Sequence, residues 1–422
     1  MKFCAIDFGT SNSAIAIPGD GGMQLVELEP GYRTMPTAVF YYTEGRDDAE
    51  GPPRAFGRAA LTAYVDGTDG RLMRSMKSIL GSSLIDQTTD VGGGRGVKYA
   101  DIVAGYLKRL RRLAGNPERA VLGRPVFFVD GEPERDAQAQ GALEAAARAV
   151  GFSEVHFQYE PIAAAFDYES LIDSERLVLV ADIGGGTSDF SIVRVGPARM
   201  QRLDRRDDIL ANHGVHIAGT DFDRHIELAG ILREFGYRAL GPVRADGSQR
   251  EVPSGIYFDL ATWHLINTVY SPLRVAELRQ MKSFYAEPEH HRRLMTVLEE
   301  RLGHELASRA EEAKIAVASG GDTRIDLGHV ENGLTLELSG STAMAALDAD
   351  LGRIVQAARD TVQQAGLKAG QIDALYFTGG STGLTALADR IAAEFPQAEA
   401  VRGDRFASVA TGLGLHAARL FA

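Results

Sequence analysis

Two stretches of this sequence carry residue types that could bind a phosphate group beside a metal ion. In residues 178–193, an apolar strand pattern ends at Asp182, and Gly184, Gly185, Gly186 and Thr187 follow before the pattern resumes. Glycine lets backbone N–H groups crowd around an anion, and a carboxylate at a strand end can hold a hydrated cation. The pattern therefore predicts a phosphate clamp with a metal anchor.

The same order of residue types occurs at the start of the chain. Asp7 ends an apolar run, and the residues before the pattern resumes include Gly9, Thr10, Ser11 and Asn12. The two acids lie about 175 positions apart, and we expect two lobes that face each other across a cleft. The alternative is a pair of ordinary hairpin turns, but such turns need neither the terminal acid nor three consecutive glycines.

The composition limits the classes of protein to which the chain can belong. Its 422 residues suggest two or three domains at ~150 residues each. The net charge of −12 disfavours sequence-independent binding to nucleic acid or to an anionic membrane, since both are negatively charged. Cys4 is the only cysteine, and neither a signal peptide nor an apolar run of about 18 residues is present. We therefore expect a cytoplasmic protein without a nucleic-acid or membrane partner. We also expect a monomer, although the composition does not indicate the oligomeric state.

The hydrophobic pattern predicts the elements that must position the two turns. Helices are predicted over 54–65, 99–114, 134–150, 159–170, 289–318, 341–365, 384–394 and 409–420. Besides the two turn-flanking pairs, strands are predicted over 23–28, 37–42, 124–129, 155–158, 200–203, 324–327, 334–338 and 375–378. A third glycine turn, at 379–383, follows the last of these strands.

Five motifs in order resemble one family, the seventy-kilodalton heat-shock chaperones of the DnaK type. Residues 6–17 and 182–192 resemble the family's two phosphate motifs. The sequence Glu-Pro-Ile-Ala-Ala-Ala at 160–165 resembles its connecting helix, Glu-Glu-Ala-Lys at 311–314 its nucleoside-side helix, and Gly-Gly-Ser-Thr at 379–382 its adenosine turn. The chain also has a long insert at about 233–304. In this insert it resembles a short subgroup of the family, the YegD-like proteins, which keep the ATPase domain and lack the peptide-binding domain.

The resemblance implies an α/β, actin-like ATPase fold of two lobes, each with a mixed β-sheet flanked by helices. Lobe I would comprise residues 1–172 and 397–422, and lobe II residues 173–396 with the insert. ATP or ADP would lie with Mg²⁺ in the cleft between them. The implied partners are proteins, and the insert is a candidate surface for them, with a plain structural extension as the alternative.

The resemblance also implies a role for each matching residue. The catalytic group would be Lys77, Glu160, Asp7, Asp182 and Thr187, the last as a candidate self-phosphorylation site, and Asp7 and Asp182 would hold Mg²⁺ through its water shell. The nucleotide would be contacted by Gly9, Thr10, Ser11, Asn12, Gly184, Gly185, Gly186, Thr187, Gly219, Glu311, Lys314, Gly379, Gly380 and Ser381. The alternatives are a solvated lysine at position 77 and a plain helix-start carboxylate at position 160.

Two positions depart from the family pattern. The family has an arginine after Lys314 and another after the adenosine turn, where this chain has Ile315 and Gly383. Those arginines stack on adenine, an interaction of roughly 0.5 to 2 kcal/mol each. We therefore expect weaker ATP binding, in the micromolar range, or a looser choice of base.

The sequence is compatible with three main functions. The first is a slow Mg-dependent ATPase, chaperone-like, whose nucleotide-driven lobe switch acts on protein partners. The second is a nucleotide-binding interaction protein with negligible turnover, and the third is a sugar or acetate kinase on the same fold. A kinase needs an acceptor pocket and usually a base opposite the γ-phosphate, whereas Lys77 and Glu160 suggest water as the acceptor. A filament-forming actin relative is a further alternative.

Overall fold

A computed structural model describes residues 3–47, 49, 51–92, 94–129, 131–403 and 408–421. The chain divides into two units by its internal contacts. The first unit comprises residues 1–215, 357–382 and 392–422, and the second comprises residues 216–356 and 383–391. Residues 1, 2, 48, 50, 93, 130, 404–407 and 422, all in predicted lobe I, lie outside the described residues. The predicted lobe boundaries stay a prediction.

The strands fall into two larger sheets and three small ones. In chain order they are β1 (Phe3–Phe8), β2 (Asn12–Gly19), β3 (Gly22–Leu25), β4 (Thr34–Pro36), β5 (Ala38–Tyr42), β6 (Arg54–Phe56), β7 (Gly70–Arg74), β8 (Thr88–Asp90), β9 (Gly96–Lys98), β10 (Arg119–Arg124), β11 (Glu154–Tyr159), β12 (Arg176–Ile183), β13 (Ser188–Val195), β14 (Ile209–Val215), β15 (Thr323–Asp326), β16 (Thr335–Leu338), β17 (Ala374–Thr378) and β18 (Glu399–Arg402).

The helices are spread over both units. In chain order they are α1 (Gly57–Val65), α2 (Tyr99–Leu113), α3 (Pro133–Ala149), α4 (Glu160–Glu169), α5 (Pro197–Met200), α6 (Gly219–Ala229), α7 (Gly255–Leu260), α8 (Pro272–Gln280), α9 (Pro288–Glu299), α10 (Gly303–Val317), α11 (Gly340–Gln364), α12 (Thr385–Glu394) and α13 (Ser408–Leu420). None of the helices in the described ranges combines the length and the apolar character needed to cross a membrane.

The two larger sheets, both in the first unit, repeat one strand order. The first runs β11-β10-β1-β2-β3, with β4 also paired to β2, and the second runs β18-β17-β12-β13-β14. In each sheet an antiparallel hairpin, β1–β2 or β12–β13, has a parallel strand, β10 or β17, beside its first strand. The carboxyl ends of the parallel strands therefore lie next to the turn of each hairpin.

Helices α4 and α13 form a core with strands of both sheets. Apolar residues of β1, β10, β12, β13 and β17 belong to one buried cluster with residues of both helices. The two helices pack closely, because a methyl group at Gly412 of α13 would lie 1.9 Å from the carbonyl oxygen of Ala163 in α4. A second cluster lies between the first sheet and helices α2 and α3.

Several element predictions are confirmed and four are wrong. Helices α2, α3, α4, α11, α12 and α13 and strands β5, β11, β15, β16 and β17 lie where they were expected. The strand predicted over 124–129 is instead β10, which ends where Pro125 removes a backbone donor. The strand predicted over 200–203 is wrong, because α5 begins at Pro197, a favoured first helical residue.

The other two errors concern helices. The helix predicted over 289–318 is two helices, α9 and α10, separated by Arg301, whose backbone has a φ of +56°. A left-handed residue cannot continue a right-handed helix. The helix predicted over 54–65 loses its first three residues to β6, which pairs with β5.

Candidate functional site

Each predicted phosphate turn connects the strands of a hairpin in the first unit. Asp7 lies near the end of β1, opposite Ala14, and Asp182 lies near the end of β12, between Asp189 of β13 and Thr378 of β17. In the first turn a methyl group at Gly9 would lie 2.2 Å from the carbonyl oxygen of Asn12, so the chain can close there only with glycine.

The structure brings the two turns together. A methyl group at Gly185 would lie only 3.1 Å from the hydroxyl oxygen of Ser11. The adenosine turn touches the second phosphate turn, because Ser381 Oγ donates a hydrogen bond of 2.6 Å to the carbonyl oxygen of Gly184. The amide of Gly184 in turn donates to the carbonyl oxygen of Thr187, at 2.9 Å. Three segments distant in sequence therefore converge within the first unit.

Lys77 and Glu160 form an ion pair beside these turns. Lys77 Nζ donates to Glu160 Oε1 at 2.5 Å, and both side chains are largely buried. Lys77 belongs to a short 3₁₀ helix, Met76–Ile79, which follows Ser75 in a left-handed conformation with a φ of +52°. Glu160 begins α4, whose first turn contains Pro161. Burial lowers the pKa of Lys77, but the carboxylates of Glu160 and Asp7 outweigh it and raise that pKa above its ordinary value.

The two acids of the turns have raised pKa values. Burial, followed by the negative charges of Glu160 and Asp182, raises the pKa of Asp7 to about 8. Burial, with the charges of Asp189 and Glu160, raises the pKa of Asp182 to about 7. Lys77 opposes both shifts. These carboxyls therefore lack enough positive charge around them, and a bound cation would supply it.

Two glycines leave room for the carboxylates of this cluster. Gly123, at the end of β10, would place a methyl group 3.3 Å from Glu160 Oε1. Gly379, directly after β17, would place one 2.7 Å from Asp182 Oδ1 and 2.4 Å from the carbonyl oxygen of Ile183, and its φ is +86°. Both glycines belong to the parallel neighbour of a strand that carries an acid: Gly123 is the penultimate residue of β10, and Gly379 directly follows β17.

The remaining predicted nucleotide residues lie at the adenosine turn and in the second unit. Gly380 is exposed and begins a 3₁₀ helix, Gly380–Gly383. In the second unit Lys314 Nζ lies 2.7 Å from Asp223 Oδ1 and 3.4 Å from the carbonyl oxygen of Gly219. Glu311, one turn earlier on α10, is exposed. These assignments stay predictions.

The prediction from sequence missed three residues that belong to these clusters. Asp189 lies opposite Asp182 and raises its pKa, and it could have been found because it directly follows the glycine turn and Ser188. Asp223 pairs with Lys314, and Gly123 adjoins Glu160. No local pattern marks these last two, because each acts on a residue distant in sequence.

The donor set of the first unit suits a hydrated divalent cation. Asp7 and Asp182 offer carboxylate oxygens, the ligand type that Mg²⁺ prefers. Across the described ranges, no group of three or more His, Cys, Asp or Glu side chains is arranged to hold a metal directly. A cation held by two carboxylates would need water or phosphate oxygens to complete its shell, as Mg²⁺ commonly does.

Comparisons with known proteins point to one family. A family model described as Hsp70 protein matches residues 97–238, which include Glu160 and the second phosphate turn. The chaperone protein DnaK of Thermosipho melanesiensis is 29% identical over 299 residues, which is 66% of this chain and 46% of that protein. The DnaK of Thermosipho africanus is 29% identical over 300 residues, with the same coverage. The chain thus spans about half the length of these curated relatives.

Proposed function

The chain belongs to the Hsp70 family and has its actin-like ATPase fold, and from this premise we propose that it binds ATP with Mg²⁺ and hydrolyses it slowly. The observation that carries the proposal is the convergence of two glycine turns, each with an acid at the strand end, around Lys77 and Glu160. Phosphoryl transfer requires alignment and charge neutralisation more than covalent chemistry, and this group of residues offers both.

Asp7 and Asp182 are the residues that would hold Mg²⁺, through its water shell. Their raised pKa values support this role, because a cation would allow both carboxyls to ionise near neutral pH. When bound, Mg²⁺ would neutralise charge on the phosphate oxygens. The backbone N–H groups of Gly184 to Thr187, and the first turn at Thr10 to Asn12, would hold the phosphate tail.

Lys77 would stabilise the charge that develops on the terminal phosphate. Its raised pKa keeps the ammonium group protonated throughout the physiological range, and an ammonium group placed in advance needs no rearrangement during the reaction. Glu160 holds that ammonium group at 2.5 Å, which restricts its position, and would help to orient the attacking water.

Protein partners and a nucleotide-driven conformational switch complete the proposal. The two Thermosipho relatives are named chaperone proteins, which supports protein partners for this chain. A switch would appear as different patterns of limited proteolysis with ATP and with ADP.

Calorimetric titration with ATP, ADP and GTP, with and without Mg²⁺, tests this function. We expect ATP and ADP to bind in the presence of Mg²⁺ and Asp182→Asn to weaken the Mg²⁺-dependent part of binding. Asp20→Asn, which changes an exposed acid at the far end of the β2–β3 hairpin, is the matched control. Absence of nucleotide binding by the folded wild-type chain would refute the proposal.

A nucleotide-binding protein with negligible turnover is the second candidate. It is favoured by Ile315 and Gly383, which replace the two adenine-stacking arginines that the family resemblance leads us to expect. Single-turnover hydrolysis separates the two functions. A slow ATPase should lose roughly 10²- to 10³-fold in rate with Lys77→Ala, the range for one electrostatic donor, while Lys98→Ala, an exposed lysine of the same unit, keeps the rate. A rate that Lys77→Ala leaves unchanged would favour the second candidate.

A further inference from the structure

Residues 239–252, in the second unit, form a short hairpin-like tongue. Gly241 N donates to the carbonyl oxygen of Arg250 at 2.7 Å, and Val252 N donates to that of Ala239 at 2.9 Å. The turn is closed by a hydrogen bond of 2.9 Å from Arg244 N to the Ser248 carbonyl oxygen. Backbone bonds therefore order a segment whose side chains contribute little to the core.

The tongue lies directly against a second exposed segment. A methyl group at Gly241 would lie 2.7 Å from the carbonyl oxygen of Phe284, so the two backbones approach in a way that only glycine permits. Phe284 ends the 3₁₀ helix Met281–Phe284. Leu240 and Val243 lie within two residues of Gly241, and Phe284 is the residue that Gly241 approaches. The three apolar residues are therefore near one another along the two backbones.

All three of these apolar side chains are exposed. The exposed fractions are 53% for Leu240, 67% for Val243 and 50% for Phe284. Single exposed apolar side chains are normal on protein surfaces, whereas grouped ones mark interaction sites. Burying them against a partner would remove apolar surface from water.

The charge of this region is opposite to that of the whole chain. Residues 238–252 and 281–285 contain four basic side chains, Arg238, Arg244, Arg250 and Lys282, and two acidic ones, Asp246 and Glu251. Asp246 already accepts hydrogen bonds from the amide and hydroxyl of Ser248. The chain as a whole carries a net charge of −12. We call Leu240, Val243, Phe284, Arg244, Arg250 and Lys282 the basic-apolar patch.

We propose that the basic-apolar patch docks a segment of another protein that combines acidic and apolar side chains. Such a segment would complement both features, because charge complementarity selects acidic partners while the apolar side chains supply area to bury. A short partner segment would interact mainly with the charges of the patch itself, because exposed charges are screened beyond about 8 Å at physiological salt. An extended anionic membrane would also meet the acidic remainder of the chain, which disfavours it. The proposal does not depend on nucleotide binding.

Selection from a phage-displayed library of random peptides on the full chain tests the proposal. Peptides that also bind Val243→Ser/Phe284→Ser are removed, so that the remainder depend on the patch. The best peptide is then measured by fluorescence anisotropy against three variants. Two alter the patch, Val243→Ser/Phe284→Ser and Arg244→Glu/Arg250→Glu, and the control, Leu171→Ser/Arg109→Glu, changes exposed residues of the first unit.

We expect the selected peptides to be rich in Asp, Glu and large apolar residues. The Arg244→Glu/Arg250→Glu variant, which takes no part in the selection, should weaken binding at least about tenfold. The control variant should not weaken it, and added salt should. ATP titration of the same variants separates this outcome from failure of the nucleotide proposal. No enrichment, enrichment without acidic residues, or affinity that the patch variants leave intact would each overturn the proposal. Patch-dependent binding to phosphatidylglycerol vesicles instead, or patch-dependent self-association in sedimentation, would overturn it as well.

Discussion

At the scale of single residues, the cluster in the first unit contains more negative than positive charge. Lys77 is paired with Glu160. The buried carboxyls of Asp7 and Asp182 both have pKa values raised by burial and by the charge of Glu160, and the charge of Asp182 also raises the pKa of Asp7. A site built to receive a cation has this property before the cation arrives. The pH dependence of stability is therefore a direct measure of how these acids are held.

Asp182→Asn should make stability less sensitive to rising pH. Between an unfolded pKa of about 3.9 and a folded pKa of about 7, the native carboxyl keeps a proton that the unfolded chain has released. Stability of the wild type therefore falls as pH rises through that window, by up to about 1.4 kcal/mol per pH unit. Scanning calorimetry without nucleotide or Mg²⁺ should show the variant-minus-wild-type Tm rising from about pH 4 to about 7 and then levelling.

The control for this measurement is Asp20→Asn, which changes an exposed carboxyl. Its Tm difference from the wild type should stay flat across the same pH range. A difference for Asp182→Asn that is equally flat, or that shrinks with rising pH, would contradict the raised pKa.

Ile315→Arg should strengthen nucleotide binding. The Ile315 side chain is 64% exposed next to Lys314, so an arginine can replace it without disturbing the core. Cation–π stacking on a purine contributes roughly 0.5 to 2 kcal/mol, which corresponds to about 2- to 30-fold in affinity. Calorimetric titration with ATP and with GTP should detect a gain for both bases. Ile315→Gln is the size-matched control, and equal affinities of the two variants would rule out the stacking.

At the scale of elements, helix α4 connects the ion pair of the site to a second set of buried charges. Glu160 begins the helix and Glu169 ends it. Glu169 accepts two hydrogen bonds from Arg205, at 2.9 and 3.0 Å, and one from the Gly196 amide at 2.8 Å. Arg205 also pairs with Asp208, and all three charged side chains are fully buried. This buried ion cluster fixes the far end of the helix that presents Glu160.

Arg205→Met should therefore destabilise the first unit strongly. It leaves Glu169 and Asp208 in the interior without their shared partner, and removal of one member of a buried pair typically costs about 3–5 kcal/mol. The free energy of unfolding in urea should fall by that amount. Arg109→Met, at an exposed position of α2, should change it by less than about 0.5 kcal/mol. A loss below about 1 kcal/mol for Arg205→Met would mean that the cluster does not anchor α4.

At the scale of the whole molecule, the predictions from sequence succeeded where the signal was local. The two strand–acid–glycine patterns, the long amphipathic helices and the order of motifs are each carried by neighbouring residues. Pairing between residues that are distant in the sequence could not be predicted from it. Residues 202–208, rich in Arg and Asp, resemble a solvated charged segment, yet Arg205 is buried and paired with Glu169. Because Glu169 lies 36 positions away, the local sequence does not indicate this pairing. The role of Gly123 likewise depends on Glu160, which another element delivers.

The repeated sheet order explains how two turns distant in sequence come to lie close together. Each sheet places its hairpin turn beside the end of a parallel strand, and α4 and α13 form one core with strands of both. The acids at the strand ends therefore converge although about 175 residues separate them. The two turns approach each other at Ser11 and Gly185, where a Cβ added to Gly185 would lie 3.1 Å from Ser11 Oγ.

Gly185→Val should fill the space between the two turns and strongly weaken ATP binding while the protein still folds. The added Cβ would lie 3.1 Å from Ser11 Oγ, the end of a small side chain that can rotate away, and Gly185 is not in a left-handed conformation. The additional methyl groups would then occupy the region where the phosphate tail is expected. Titration should show ATP affinity reduced at least about 100-fold, a loss of about 2.8 kcal/mol, with the far-UV circular dichroism spectrum retained. Gly141→Val, on α3 where a Cβ meets nothing within 4 Å, should bind ATP as the wild type does. Normal ATP affinity in folded Gly185→Val would mean that the phosphates lie elsewhere.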